Sequence, residues 1–173
     1  MRRSVRDDEF REFYGRSNDR AVAVARRMVG SPALAEDLAA EALARAYARW
    51  PKVRTHPNPD AWLFKVLGNL CIDHLRRGEH HPEAVVDVTS GTAEQVSLRV
   101  DLAEALAHLS PRQQEVVVLR YVIDLTEEDV AITLGMSPGA VKTHLHRATT
   151  KLRAELGPQV IDLTEEARDG ALD

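Results

Sequence analysis

The chain has 173 residues, enough for one ordinary domain or two small ones. Its one cysteine, Cys71, excludes an internal disulfide framework and fits a reducing cytosol. No apolar run approaches a membrane span and no signal-peptide core opens the chain, so the sequence predicts a cytoplasmic protein without membrane insertion. The formal net charge of −4 conceals a sorted pattern: residues 1–78 carry 15 basic and 10 acidic side chains, whereas residues 158–173 carry 1 and 5. An acidic protein still binds nucleic acid where its positive charge is localised.

Helical patterning dominates before residue 78. Phe10, Phe13 and Tyr14 begin an amphipathic segment that continues through Val22, Ala25 and Val29. Gly30-Ser31-Pro32 ends it and caps the next helix, residues 32–50, which places Leu34, Leu38, Ala42, Leu43, Ala46 and Tyr47 on one side. Pro51 is expected to stop that helix. Thr55-His-Pro-Asn-Pro59 reads as a turn-rich connection that Asp60 closes as a cap. A third helix over residues 61–77 has Trp62, Leu63, Val66, Leu67, Leu70 and Leu75 as its apolar positions.

Residues 79–97 break the pattern and read as a flexible acidic linker. Helices resume near Val96, with Val100, Leu102, Leu106 and Leu109 on one of them. Ser110-Pro111 caps a second, with Val116, Val117, Leu119 and Tyr121 inward. Leu156-Gly157-Pro158 ends the last helix, and residues 158–173 form an acidic tail. There is no strand alternation and no internal repeat. The fold class is therefore all-α: two small helical domains, residues 1–78 and 98–157, joined by the linker.

The stretch from Thr126 to Leu152 is the most informative. Thr126 can cap a first helix, with Asp129 at the reciprocal position of a capping box. Ala131 is small where two helices must approach. Gly135 falls where a left-handed residue ends the first helix, Ser137 caps the second, and Pro138 takes its first position. Val130, Leu134, Met136, Val141 and Leu145 supply the contacts between the two. The outward side of the second helix carries Lys142, Thr143, His144, His146, Arg147 and Lys151, and no acid occurs from Ser137 to Arg153. This is a helix-turn-helix whose second helix suits a DNA major groove. A solvated basic face on an ordinary helical bundle is the plainer reading.

Other chemistry finds little support. The chain has no Gly-rich phosphate loop, His-Glu-x-x-His or Cys-x-x-Cys, so no catalytic residue, metal ligand or cofactor is assigned. His80-His81 lies in the linker, and His144 and His146 point to different sides of one helix.

Two further segments narrow the reading. Ala35-Glu-Asp-Leu-Ala-Ala-Glu-Ala-Leu-Ala-Arg-Ala-Tyr47 and Ala61-Trp-Leu-Phe-Lys-Val-Leu-Gly-Asn-Leu-Cys-Ile-Asp-His-Leu-Arg-Arg77 resemble the two core motifs of bacterial RNA polymerase sigma factors. The short form, with sigma domain 2, a linker and sigma domain 4, resembles the extracytoplasmic-function (ECF) subfamily, and the resemblance covers nearly all of residues 8–156. It rests on the order of independent motifs: the acidic helix, the Trp-Leu…Asn…Asp…Arg-Arg helix, the linker, Leu-Ser-Pro-Arg-Gln-Gln and the helix-turn-helix.

The resemblance implies a transcription-initiation factor, not an enzyme, whose partners are the RNA polymerase core (the largest subunit's coiled coil and the flap region) and promoter DNA. It leaves room for an anti-sigma partner and implies a location at the nucleoid through polymerase. Asp37, Glu41 and Arg45 form one stripe, implied to dock on the core; Ala40 stands where relatives often have Gln. Asn69 matches the residue implied to sit near an unstacked base of the −10 element, with Lys65, Arg76 and Arg77 on strand phosphates. Trp62 reads as core. Lys142, Thr143 and His144 begin the implied −35 face, and Arg147 and Lys151 continue it toward phosphate. His144 stands where relatives often have Arg, which implies a different −35 preference. The alternative is a helix-turn-helix regulator that acts without docking on core polymerase.

Overall fold

The architecture is described from a computed structural model, which covers residues 2–77 and 101–157 apart from residue 103. The expected linker and acidic tail lie outside the described residues, as do Val96 and Val100. No strand occurs among the described residues.

Helix α1 spans Arg2–Val29 and buries Phe13, Ala21, Val24 and Ala25. Helix α2, Pro32–Ala48, starts as expected: the Ser31 side chain accepts the Leu34 N–H, and Pro32 takes the first position. Its buried stripe is Ala35, Ala39, Ala42, Leu43 and Ala46. Four alanines there let α1 and α2 approach closely. Helix α2 stops before Pro51 as expected, but at Ala48 and not at Trp50; Pro51 sits in the first turn of a short helix α3, Trp50–Val53, where its missing N–H has no partner to lose. Trp50 thereby enters the core, 5.0 Å from the Phe13 ring and 5.3 Å from Phe10.

The start of α4, Pro59–Arg76, corrects the sequence reading. Asn58, not Asp60, is the cap, and its Oδ1 accepts the Ala61 N–H at 2.9 Å. Proline's fixed φ suits the first helical position, so the cap falls on the residue before Pro59. Asp60 then lies in the first turn, where it accepts the buried Ser17 hydroxyl at 2.8 Å. The buried residues of α4 are Ala61, Leu63, Phe64, Leu67, Gly68, Cys71 and Ile72. Trp62, Val66 and Leu70 are only half-buried, though packed on the core, because the inward face lies about one residue further round the helix than the apolar pattern suggests.

Burial pushes the Cys71 thiol up from 9.0 to about 12. The thiolate is the reactive form, so at pH 8 the folded protein should resist iodoacetamide until urea unfolds it. Alkylation at equal rates in both states would contradict this burial. Above pH 9 the unfolded chain gives up this proton while the folded chain keeps it, so the thiol lowers stability as pH rises from 9 toward 12.

The second half is also helical. Residues 101–107 contribute Ala105 and Leu106, and Ser110 begins α5, Pro111–Val117, with the full reciprocal cap to Gln113. The sequence suggested that this helix runs on through Tyr121. Instead it widens into a π-helical turn, Val118–Val122, closed by the Ile123 N–H on the Val118 carbonyl at 3.0 Å. Helices α6, Glu127–Leu134, and α7, Pro138–Leu156, complete the fold.

The two helical halves share one apolar cluster. It runs from Phe13, Leu43, Phe64 and Leu67 through Val118, Leu119 and Ile123 to Val130, Val141 and Leu145. A second cluster holds Ala105, Leu106, Leu109, Val117, Ala148 and Leu152.

Candidate nucleic-acid and polymerase interfaces

Helices α6 and α7 form the two helices and tight turn that the motif predicts, except that the expected capping box is incomplete: Asp129 turns its carboxylate to the Thr126 hydroxyl and not to the Thr126 backbone N–H. The Thr126 hydroxyl accepts the Asp129 N–H at 3.1 Å and stands 2.8 Å from Asp129 Oδ2. Gly135 lies at φ 64°, ψ 42°, a left-handed conformation that strains residues bearing a Cβ. Ser137 caps α7 by accepting the Ala140 N–H at 3.2 Å. Val130, Ala131, Leu134, Val141 and Leu145 are buried between the helices, with Met136 packed beside them.

Burial fixes the orientation of α7. Val141, Leu145, Ala148 and Leu152 face inward, so Thr143, His146, Arg147 and Thr150 occupy the exposed outer face. Lys142 and Lys151 are exposed on its flanks, and Lys142 Nζ lies 3.9 Å from Glu127 Oε2. His144 is half-buried. At 100° per residue it stands only about 60° from Val141, whereas His146 stands about 140° away. The sequence placed His146 on the outward side without choosing it as a base reader; the helical phase relative to the buried stripe makes it the more accessible imidazole.

A side chain that reads a base edge changes preference, whereas one on phosphate changes only affinity. With the outer face of α7 in a −35 major groove, as the resemblance implies, His146→Ala should alter the selected −35 sequence, costing about 1 kcal/mol at one base pair. Lys151→Ala should weaken all sequences alike and lower the slope of log K against log salt by about 0.9. Selection from a randomised −35 library checks both. A larger change of motif from His144→Ala than from His146→Ala would mean that α7 is rotated in the groove.

Helix α4 presents Lys65 and Asn69 on one face, one turn apart. Both meet Glu115: Lys65 Nζ lies 3.6 Å from Oε1, and Asn69 Nδ2 donates to the same oxygen at 3.4 Å. Glu115 was not singled out from the sequence, because no local signal shows which residue from the other half faces α4. Arg76 and Arg77 are exposed at the end of the helix, about 10 Å from Asn69 along the axis, and Arg76 pairs with Asp73 at 3.1 Å. Trp62 is half-buried against the core. On α2, Asp37, Glu41 and Arg45 are all exposed in one stripe with Ala40 beside them, and Arg45 Nε donates to Glu41 at 2.7 Å. Such a surface pair adds little stability and leaves the stripe available to a partner.

Among the described residues no group of His, Cys, Asp and Glu could hold a metal ion, and no helix is long and apolar enough to cross a membrane.

Two parts of the chain match known families. Residues 13–80 match sigma-70 region 2, and residues 99–152 match sigma-70 region 4. The RNA polymerase sigma-E factor of Streptomyces coelicolor is 37% identical over 161 residues, covering 89% of each chain. The ECF RNA polymerase sigma factor ShbA of Streptomyces griseus is 35% identical over 133 residues, covering 69% of this chain and 70% of its own. The chain belongs to the ECF sigma factors of RNA polymerase. A solved sigma factor, RpoE from Bartonella quintana in complex with the anti-sigma factor NepR, has the same fold: TM-score 0.54 at 24% identity, over 87% of this chain and 98% of that one. In this sigma factor α2 and α4 fall within region 2, and the helix-turn-helix within region 4.

Proposed function

We propose that this sigma factor binds core polymerase and directs it to promoters through two separate DNA contacts. The observation that carries the reading is the outer face of α7. Thr143, His146, Arg147 and Thr150 are exposed there together, flanked by Lys142 and Lys151, on a helix held by a buried partner face. Such a face suits a major groove: the basic side chains draw it to phosphate, and the hydroxyls and imidazole meet base edges. Residues 98–157 form the −35 unit, with Lys142, Thr143, His144, Arg147 and Lys151 as its contacts and His146 added. Residues 1–78 form the polymerase and −10 unit, with Asn69 at an unstacked base and Lys65, Arg76 and Arg77 on the displaced strand. Residues 79–97 connect the two, and residues 158–173 are a tail.

The Asp37–Glu41–Arg45 stripe docks on the polymerase core, through charge complementarity at an exposed helix face. The factor performs no chemistry itself and works in the cytoplasm, at the nucleoid through polymerase. An anti-sigma factor is a further partner in this reading, supported by the kind of complex that the Bartonella relative forms.

Run-off transcription with purified core polymerase on genomic promoter fragments tests the reading. Defined transcripts that require this protein are the expected result. DNA binding in the absence of any association with core would favour a regulator that acts alone.

A further inference from the structure

A cleft of about 250 Å³ lies where α1, α3 and the first residue of α4 meet, lined by Glu9, Glu12, Arg16, Trp50, Arg54 and Pro59. No residue assigned above to DNA or to the polymerase core lines it. Its most buried member is Trp50, 4% exposed and packed on the Phe10 and Phe13 rings at 5.3 and 5.0 Å. The indole Nε1 is buried and has no hydrogen-bond partner among the described residues, although a buried indole N–H ordinarily finds one. The rest of the polar lining is charged and open to solvent. Arg54 stands 3.5 Å from Glu9. Arg16 stands 3.8 Å from Asp60, with its guanidinium 5.0 Å from the Phe13 ring centroid. Glu12 is exposed and has no ion-pair partner among the described residues.

These groups define the chemistry that fits. Both ion pairs are longer than the roughly 2.7–2.9 Å of a charge-assisted hydrogen bond, and a guanidinium carries a fork of N–H donors suited to a carboxylate, so both arginines keep donors for a further acceptor. The indole adds one more donor, and Glu12 adds an acceptor with negative charge. Because the cleft is lined by carboxylates as well as guanidinium groups, a simple anion meets repulsion from Glu9 and Glu12, and a simple cation meets it from Arg16 and Arg54. A zwitterion is complementary to both. The volume falls below the roughly 300–1,000 Å³ of sites for drug-sized molecules, which suits a molecule of amino-acid size. We propose that this cleft binds a free α-amino acid, its carboxylate on Arg16, Arg54 and the Trp50 N–H and its ammonium on Glu12 and Glu9. Exposed ion pairs contribute little to stability, so Arg54 and Arg16 can turn from Glu9 and Asp60 onto the ligand. The carboxylate drawn between them brings an acceptor to the indole.

The full-length chain tests this without polymerase or DNA, so the outcome is separate from the promoter reading. Each common L-amino acid, at about 10 mM, is screened for a rise in Tm, which reports a ligand that binds only the folded state. The amino acid with the largest shift is then titrated. Trp50 and Trp62 are the two tryptophans of the chain, so in a Trp62→Phe background Trp50 emission reports occupancy of the cleft directly. The same titration is repeated with the deaminated acid and with the decarboxylated amine of that amino acid, each of which keeps one charged end. Arg54→Gln and Glu12→Gln remove one charge each from exposed positions of the lining. Arg11→Gln is the control, an exposed arginine on α1 that pairs with Asp8 at 2.7 Å and does not line the cleft. Circular dichroism confirms retained helix in each.

At least one amino acid should raise Tm saturably and change Trp50 emission over the same concentration range. Arg54→Gln and Glu12→Gln should each weaken its binding about tenfold, the loss of one charge-assisted contact, and Arg11→Gln should bind as wild type does. The acid and the amine should each bind about tenfold more weakly than the parent amino acid. No saturable shift with any amino acid would overturn the proposal. So would binding that both cleft variants leave unchanged, since the ligand would then sit elsewhere. A deaminated acid that binds as tightly as the amino acid would reduce the cleft to an anion site and overturn the assignment of Glu12. If Trp62→Phe loses its helical signal, the thermal shifts of the wild-type chain and of the cleft variants decide on the same criteria.

Discussion

Phe64→Ala should lower the unfolding free energy by about 3–5 kcal/mol, the range expected for truncating a fully buried aromatic ring. The ring is 1% exposed within the apolar cluster that joins both halves. Truncation removes its transfer free energy and leaves a cavity that α4 cannot collapse into. Helix α4 is held on one side by α1 and α2 and on another by the π-helical turn, so its neighbours have little room to move. The loss also strips Arg20 of the aromatic surface under its guanidinium, 4.7 Å away. Urea titration followed by circular dichroism measures the effect, with the slope compared to wild type for a change in cooperativity. A loss below about 1 kcal/mol, typical of exposed positions, would show that this ring is not a structural centre.

Asn69→Ala should slow promoter opening while leaving closed-complex binding intact, by about 1–3 kcal/mol if a bidentate base contact disappears. The position is suited to this role. Asn69 is half-buried on α4, and among the described residues its amide donates to Glu115, at 3.4 Å. Replacing that partner by a base edge conserves the hydrogen bond. An unstacked base captured in this way offsets part of the melting free energy. The measurement belongs in the assembled holoenzyme, where promoter opening takes place. Permanganate reactivity of the −10 thymines reads strand opening directly. Wild-type reactivity in the variant would assign Asn69 to the interdomain contact alone.

Local signals in the sequence located most of the helices. Ser31-Pro32, Ser110-Pro111 and Ser137-Pro138 each place a side-chain acceptor before a residue that lacks an N–H, and each marks a helix start in the structure. Gly135 marked the turn because few other residues tolerate φ 64°. Asn58 was missed for a related reason: two prolines and an aspartate lie within three residues of it, and only the helix phase decides which polar side chain reaches the Ala61 N–H. The π-helical turn at Val118–Val122 carries no sequence signal. It depends on which backbone groups pair once α4 packs beside it.

The candidate site divides in the same way. The sequence by itself determined that α7 is basic, capped and amphipathic, and that α2 carries a charged stripe, because periodicity and caps are properties of neighbouring residues. It could not determine the phase of His144 against His146 to within one residue. The buried stripe of Val141, Leu145, Ala148 and Leu152 is set by the surface it packs on. Nor could it bring Glu115 to Asn69 across 46 residues of sequence separation, or to Lys65 one helical turn earlier. That contact exists because Gly68 removes the one side chain that would hold α4 and Val118 apart. Only the tertiary structure shows this, since a close approach is a relation between two surfaces and leaves no periodic trace in either one.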